Sequence, residues 1–202
     1  MNALPDAVIE ALSSRRIEAV VIGASAGGVD ALVDLLPALP KIFGPATICI
    51  LHVPADRESR LAELFASRLA LPVREAMDKG AVEPGTVYFA GPGYHLSIED
   101  DRVFSLSCEP PVHYARPAID VLMESAADAY GPALAGILLT GANIDGAAGM
   151  QKIRQCGGLT VVQDPREAQA ATMPREAIRR CDAHLVLSLA AIRELLPLLE
   201  TT

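Results

Sequence analysis

Several residue types are scarce in this sequence of 202 residues, and each scarcity excludes a class of protein. There is no Trp and aromatic residues make up only 4%, so the core must be built from aliphatic side chains and Ala. That composition is typical of helices packed on a Val, Ile and Leu sheet, which favours an α/β fold. Lys and Arg number 17 against 25 Asp and Glu, for a net charge of -8, so we expect no nucleic-acid partner.

Long apolar runs and clustered cysteines are also missing. The longest apolar stretch, residues 132–142, is about half of the ~20 residues that a membrane-spanning helix needs, and residues 1–16 show no secretory signal pattern. We therefore expect a cytoplasmic protein without membrane insertion. The four cysteines form no C-x-x-C pair and no metal-like spacing with the four His, so we expect reduced structural thiols and no metal site.

The order of apolar segments predicts one globular domain at 18–202 behind an N-terminal leader at 1–17 that is weakly helical. Amphipathic helices alternate with buried strands predicted at 18–23, 47–51, 134–139, 159–163 and 184–187. A small antiparallel β section is expected from short strands at 86–90, 94–98 and 102–106. The predicted fold is α/β, a mostly parallel, doubly wound (Rossmann-like) sheet with helices on both faces. Such sheets bind their ligands at the carboxyl ends of strands.

The turn after the first strand, residues 23–28 (G-A-S-A-G-G), is the first candidate site. One interpretation is a phosphate or dinucleotide cradle, but Ser25 interrupts the G-x-G-x-x-G pattern, and the next strand leads to His52 instead of an acid. The alternative is that G-x-S-x-G presents Ser25 as a nucleophile on a tight bend. Free backbone amides at the start of the following helix would then lie where an oxyanion forms.

A serine nucleophile needs a base and a third group that orients the base. His52 follows the second predicted strand and Asp145 lies in a Gly-rich turn after a later one, so we expect Ser25, His52 and Asp145 in one cleft. Structural alternatives are a buried His bonded to a carbonyl for His52, and an N-cap of the following helix for Asp145. Asp164 also follows a strand and is a rival for the orienting role.

The order of these residues along the chain is Ser, His, Asp. This order differs from the order in the α/β-hydrolases and from the orders in the chymotrypsin-type and subtilisin-type proteases. From about residue 19 to 196, the sequence instead resembles the chemotaxis-type protein-glutamate methylesterases, the CheB catalytic domain family. The motifs that carry the resemblance are I-G-A-S-A-G-G at 22–28, L-H-V-P at 51–54, R-P-A-I-D at 116–120, L-T-G at 139–141, D-G-A at 145–147, Q-D at 163–164 and M-P-R at 173–175.

The resemblance implies a triad of Ser25, His52 and Asp145 that acts in chemotaxis-type signal transduction. It would hydrolyse glutamate γ-methyl esters on the cytoplasmic helices of methylated chemoreceptor-type proteins and release methanol, with neither cofactor nor metal. Some members of the family also deamidate receptor glutamines. We assign the oxyanion hole to the backbone amides of Ala26 and Ala142.

The sequence also departs from the family pattern. Ala26 and Ala142 stand where the family usually has Thr and Met, two side chains that border the catalytic centre in the family, and Asn143 replaces the Gly that usually follows this Met. We expect no receiver domain before the predicted catalytic domain and therefore expect constitutive activity, with any control exerted by a separate regulatory partner or by substrate methylation. Two alternative functions are a non-catalytic methylesterase-like binding module and a general hydrolase of small esters. A binding module needs no Ser, His and Asp together, which weighs against the first.

Overall fold

The computed structural model describes residues 6–12, 15–52 and 59–200. Within these ranges the strands are Ala19–Ala24 (β1), Ala46–Leu51 (β2), Val73–Glu75 (β3), Val87–Phe89 (β4), His95–Ile98 (β5), Phe104–Ser107 (β6), Leu134–Leu138 (β7), Leu159–Gln163 (β8) and Leu185–Leu187 (β9). The α-helices are Asp6–Leu12 (α1), Gly28–Leu35 (α2), Leu61–Ala66 (α3), Ile119–Tyr130 (α4), Ala147–Gln155 (α5), Thr172–Cys181 (α6) and Leu189–Leu195 (α7). None of these helices has both the length and the apolar content that crossing a bilayer requires.

The main sheet is parallel and has the strand order β3-β4-β2-β1-β7-β8-β9. β1 lies at its centre, where Gly23 pairs with Ile50 of β2 on one side and with Leu138 of β7 on the other. The chain thus winds outward from β1 in both directions, which confirms the predicted doubly wound sheet. The carboxyl ends of β1, β2 and β7 meet where the strand order reverses, the position at which such sheets bind ligands.

Helices cover both faces of this sheet, as predicted, because alternate residues of the buried strands point to opposite faces. Val20 and Ile22 of β1 belong to a core that includes residues of α2, α3 and α7. Val21 belongs to a second core that includes residues of α4, α5 and α6. Strands that are buried on both faces need an apolar side chain at nearly every position. The sheet therefore accounts for the aliphatic composition of the sequence.

The antiparallel section is smaller than predicted. β5 and β6 form an antiparallel pair near the predicted positions, with His95 opposite Ser107. The prediction that the strand at 86–90 belongs to the antiparallel section is wrong. This strand is β4, which pairs in parallel with both β2 and β3 in the main sheet. All of β4 is buried, which suits an interior strand of the sheet. β3 has no clear sequence signal because it is a short, partly exposed edge strand.

The predicted leader contains a helix, α1, which packs against the sheet. Val8 of this helix is fully buried and belongs to the same core as Ile17 and Leu32. The chain then enters β1, and the amide of Glu18 donates to the carbonyl oxygen of Ala133 at 2.8 Å. The boundary between leader and domain at 17/18 stays a prediction.

Candidate active site

Ser25 lies directly after β1, in the turn that leads into α2. Its amide donates to the carbonyl oxygen of Thr140 at 2.9 Å, and the amide of Gly28 donates to the Ser25 carbonyl at 2.8 Å. Gly27 has a φ of 79°, a conformation that glycine adopts without strain. The side chain of Gln169 lies against Gly27 and leaves no room for a Cβ at this position.

His52 follows β2, and its ring lies between Ser25 and Asp145. Its Nδ1 is 3.1 Å from Ser25 Oγ, and its Nε2 is 2.7 Å from Asp145 Oδ2. Turning the ring by 180° would place carbon atoms at both positions, so the two contacts determine the ring orientation. Because a carboxylate accepts hydrogen bonds, Nε2 carries the hydrogen and Nδ1 presents a lone pair to the Ser25 hydroxyl.

The carboxylate of Asp145 is completely buried and fully hydrogen-bonded. Its Oδ2 accepts from His52 and from the backbone amide of Ile119, and its Oδ1 accepts from the amides of Asp120 and Gly146. Burial favours a higher pKa for Asp145, but hydrogen bonds from His52 and from the Asp120 and Ile119 amides outweigh it and lower the pKa. Asp145 is therefore ionised at neutral pH and holds the His52 tautomer.

The structure also tests the structural roles considered for Asp145 and His52. Asp145 does cap a helix, but the helix is α4 and not the one that follows it: the N-cap residue of α4, Ala118, makes no side-chain cap bond. His52 makes its polar contacts with side chains and not with a carbonyl among the described residues. The carbonyl-bonded environment expected for a structural His belongs to His95, which is buried and contacts the Pro110 carbonyl oxygen at 3.1 Å.

The rival carboxylate, Asp164, is engaged elsewhere. Arg166 donates to both of its oxygens, from Nε at 3.0 Å and 2.9 Å. The side-chain and backbone hydrogen bonds from Arg166 lower the pKa of Asp164. Asp164 therefore stabilises its own loop, and His52 has Asp145 as its carboxylate partner.

In the part of the chain that the structure describes, the two backbone amides predicted to form the oxyanion hole are unpaired. Within the described ranges, neither the Ala26 amide nor the Ala142 amide donates to a protein acceptor, and both residues are exposed. Thr140 holds the surrounding loops together, since its Oγ1 donates to the Ala26 carbonyl at 2.8 Å and accepts from the Ala170 amide at 2.8 Å. The oxyanion role of Ala26 and Ala142 stays a prediction.

Three contributions to the site have no direct signal in the sequence. The amides of Ile119 and Asp120 bind Asp145, and the motif at 116–120 is the indirect signal for them. The third is Asn143, whose Nδ2 lies 3.5 Å from His52 Nδ1 and whose Oδ1 accepts from the Asp145 amide at 3.2 Å. The motif residues 53 and 54 lie outside the described residues.

Among the described residues, the other reactive side chains form neither a metal-binding group nor a disulfide. No group of three His, Cys, Asp or Glu in the described part of the chain is arranged to hold a metal ion. The cysteines are free thiols, and burial raises the pKa of Cys181 to about 11. The arrangement of Ser25, His52 and Asp145 suits acyl transfer through a serine nucleophile.

The family model described as CheB methylesterase matches residues 20–196 of this chain. The chain belongs to the CheB methylesterase family. A solved structure, the catalytic domain of the Thermotoga maritima CheB methylesterase, superposes with a TM-score of 0.84 at 33% sequence identity. The match covers 90% of this chain and 98% of the Thermotoga chain.

Sequence relatives of this CheB methylesterase family member differ in how much of their own length matches this chain. A Leptospira interrogans protein, provisionally named protein-glutamate methylesterase/protein-glutamine glutaminase, is 45% identical over 178 residues, which are 88% of this chain and 92% of the relative. Protein-glutamate methylesterase FrzG of Myxococcus xanthus is 36% identical over 188 residues, which are 93% of this chain and 56% of FrzG.

Proposed function

We propose that this protein is a serine carboxyl esterase that hydrolyses glutamate γ-methyl esters on the cytoplasmic helices of methylated chemoreceptor-type proteins. The observation that carries the proposal is the connected set of contacts from Ser25 Oγ through His52 to the buried carboxylate of Asp145, in a chain of the CheB methylesterase family. The names of the relatives, which describe protein-glutamate methylesterases, support the same substrate class.

The first half of the reaction forms an acyl-enzyme. His52 Nδ1 takes the hydroxyl proton as Ser25 Oγ attacks the ester carbonyl carbon, and the ionised Asp145 stabilises the imidazolium that forms. The amides of Ala26 and Ala142 stabilise the oxyanion. The intermediate then collapses: the bond to the methoxy oxygen breaks, Nδ1 returns its proton to that oxygen, and methanol leaves.

The second half uses the same groups on water. Nδ1 removes a proton from the water molecule that attacks the acyl carbon, and it then returns this proton to Ser25 Oγ as the ester bond breaks. The products are a glutamate carboxylate and the free enzyme. None of these steps calls on a group beyond the side chains and amides of the site.

Glutamine deamidation is a second candidate activity, because the name of the Leptospira relative includes protein-glutamine glutaminase. The same acyl-enzyme would form, and His52 Nδ1 would protonate the departing nitrogen so that ammonia leaves in place of methanol. Incubating an unmethylated receptor fragment with the enzyme and measuring ammonia tests this activity directly.

Methanol release from a methylated receptor fragment tests the main proposal, with Ser25→Ala as the paired variant. Removal of a triad nucleophile costs about 10⁴ to 10⁶ in kcat, and the fold should be unchanged because Ser25 is bonded to Thr140 through its backbone amide. A fluorophosphonate probe should label wild type at Ser25, located by mass spectrometry. A Ser25→Ala rate above about a tenth of wild type would contradict the assignment.

The same assay separates the alternatives. A general small-ester hydrolase would act on p-nitrophenyl acetate at least as efficiently as on the receptor fragment, measured as kcat/KM. A non-catalytic binding module would bind the fragment without releasing methanol and would leave the probe unreacted. We expect methanol release, Ser25 labelling and a preference for the receptor fragment.

A further inference from the structure

Among the described residues, three side chains lie close to a ring nitrogen of His52. Two of them belong to Ser25 and Asp145, and the third belongs to Asn143. Its Nδ2 lies 3.5 Å from His52 Nδ1, the same nitrogen that faces Ser25 Oγ at 3.1 Å. Asn143 is only partly buried and lies in the loop that follows β7, between Ala142 and Asp145. Its amide group therefore lies beside the atoms between which the proton moves.

The orientation of the Asn143 amide is set by its other contact. Its Oδ1 accepts from the backbone amide of Asp145 at 3.2 Å. Exchanging the oxygen and nitrogen would point the NH2 group at another N–H donor, so the hydrogen-bonding pattern assigns the nitrogen to the His52 side. The amide thus directs its hydrogens into the site.

The contact between Asn143 and His52 changes during the reaction. In the resting state Nδ1 carries a lone pair and can accept weakly from Asn143, since 3.5 Å is the outer limit of a hydrogen bond. Once Nδ1 takes the Ser25 proton, both groups are donors and the contact is lost. At that step a negative charge forms on the former carbonyl oxygen, which is attached to the carbon bonded to Ser25 Oγ.

We propose that Asn143 is a catalytic residue whose side-chain amide donates to the developing oxyanion, together with the backbone amides at the mouth of the site. This inference rests on the proposed function, because it assigns a role in the same acyl transfer. A donor that is already oriented by the Asp145 amide stabilises the oxyanion without reorganisation in the transition state. The interaction forms in the transition state only, so it should act on kcat and not on KM.

Two substitutions separate donation from a structural role. Asn143→Asp keeps an oxygen that can accept from the Asp145 amide but removes the donor, whereas Asn143→Ala removes both. We expect both variants to lose about 100-fold in kcat with KM within about threefold of wild type. Each rate is taken on the plateau of that variant's own pH profile, because Asn143→Asp adds an ionisable group to the site.

Gln151→Ala is the control, because in the described part of the chain the Gln151 side chain of α5 only accepts a hydrogen bond from Arg180 of α6. This substitution should leave kcat within about twofold of wild type. The rate of Ser25 labelling by a fluorophosphonate is the second readout, and it should fall in both Asn143 variants and not in the control. If wild type is labelled but releases no methanol, the proposed substrate fails while the labelling rates still decide the role of Asn143. Near wild-type labelling of Asn143→Asp, whether or not Asn143→Ala loses activity, would overturn the proposal.

Discussion

Asp145 illustrates how the environment of one residue determines the chemistry of another. Its two oxygens are bound by His52 and by backbone amides, so the carboxylate stays ionised although it is buried. An ionised acceptor on Nε2 leaves Nδ1 as the basic nitrogen of His52, and this nitrogen faces Ser25. In the proposed mechanism, the direction of proton transfer therefore depends on hydrogen bonds to a residue that is completely buried.

Replacing Asp145 and Asp164 separately tests which carboxylate orients His52. Asp145→Asn offers one acceptor oxygen instead of two and can hold the wrong His52 tautomer, so we expect a loss of up to ~10⁴ in kcat. A buried amide left unpaired should also lower the free energy of unfolding by about 1–3 kcal/mol. Asp164→Asn affects a surface contact with Arg166 and should stay within about tenfold in kcat.

Both variants are compared by methanol release below their unfolding temperatures, with the temperatures measured by circular dichroism. The opposite ranking of the two variants would transfer the orienting role to Asp164.

At the level of secondary-structure elements, the start of α4 is the part of the fold on which the site depends most. The side chain of Asp145 caps this helix, and a carboxylate at a helix N-terminus is also favoured by the helix dipole. Arg116 fixes the preceding loop by donating to the carbonyl oxygens of Cys108 and Glu109. The Asp120 side chain accepts from the Gly149 amide of α5 at 2.7 Å. The two helices are therefore coupled directly to the active site.

Gly149→Ala should disturb this coupling. A Cβ at this position would overlap with the Met123 side chain and lie 3.4 Å from the backbone of Asp120, so α4 and α5 would have to separate. We expect the free energy of unfolding to fall by about 1–3 kcal/mol, which is the usual cost of overpacking. Displacement of the α4 amides that bind Asp145 should also lower kcat by about tenfold or more.

The matched control is Gly44→Ala, because a Cβ at Gly44 would meet no atom within 4 Å. It should change the unfolding free energy by less than about 0.5 kcal/mol and leave kcat unchanged. Chemical denaturation and methanol release on the same samples give both quantities. Equal stability and activity for the two variants would show that the contact between α4 and α5 does not control the site.

For the whole molecule, the pH dependence of stability reflects two buried carboxylates with opposite shifts. Burial, with the charges of Asp145 and Glu124, raises the pKa of Asp120 to about 6, although the Gly149 amide and His113 act against the rise. A carboxyl that is more basic in the folded state binds more protons when folded, so its contribution to stability falls as pH rises from about 4 to 6. The lowered pKa of Asp145 acts oppositely, and its contribution is lost as pH falls below about 4.

Asp120→Asn should remove the first of these effects. The pKa of Asp120 rises from 3.8 to about 6, and each pKa unit corresponds to about 1.4 kcal/mol. The unfolding free energy of wild type should therefore fall by at most about 3 kcal/mol between pH 4 and 6 through this group. The variant keeps an acceptor oxygen for Gly149 but has no ionisable group at this position. The unfolding free energy of the variant minus that of wild type should therefore become more positive as pH rises across this window. Denaturant unfolding at several pH values measures the difference, and a constant difference would contradict the prediction.

The local sequence determined the parts of this protein that depend on neighbouring residues. Alternating apolar segments predicted the parallel sheet, and the position of Ser25 and His52 just after buried strands placed them at one edge of it. These features follow from side-chain periodicity and from the positions of strand ends, and both can be predicted from short stretches of sequence. The motifs of the CheB methylesterase family then distinguished Asp145 from its rival.

The tertiary structure alone decided which distant groups meet. Asp145 binds the amide of Ile119, 26 residues away, and so caps a helix other than the one that follows it. β4 joined the main sheet and not the antiparallel pair, and Asn143 came to lie against His52. The sequence offers several chemically equivalent partners in these cases: Asp145 could bind many backbone amides, and β4 could pair with more than one strand edge. Packing of the complete sheet and its helices makes that choice, and no short segment contains the information.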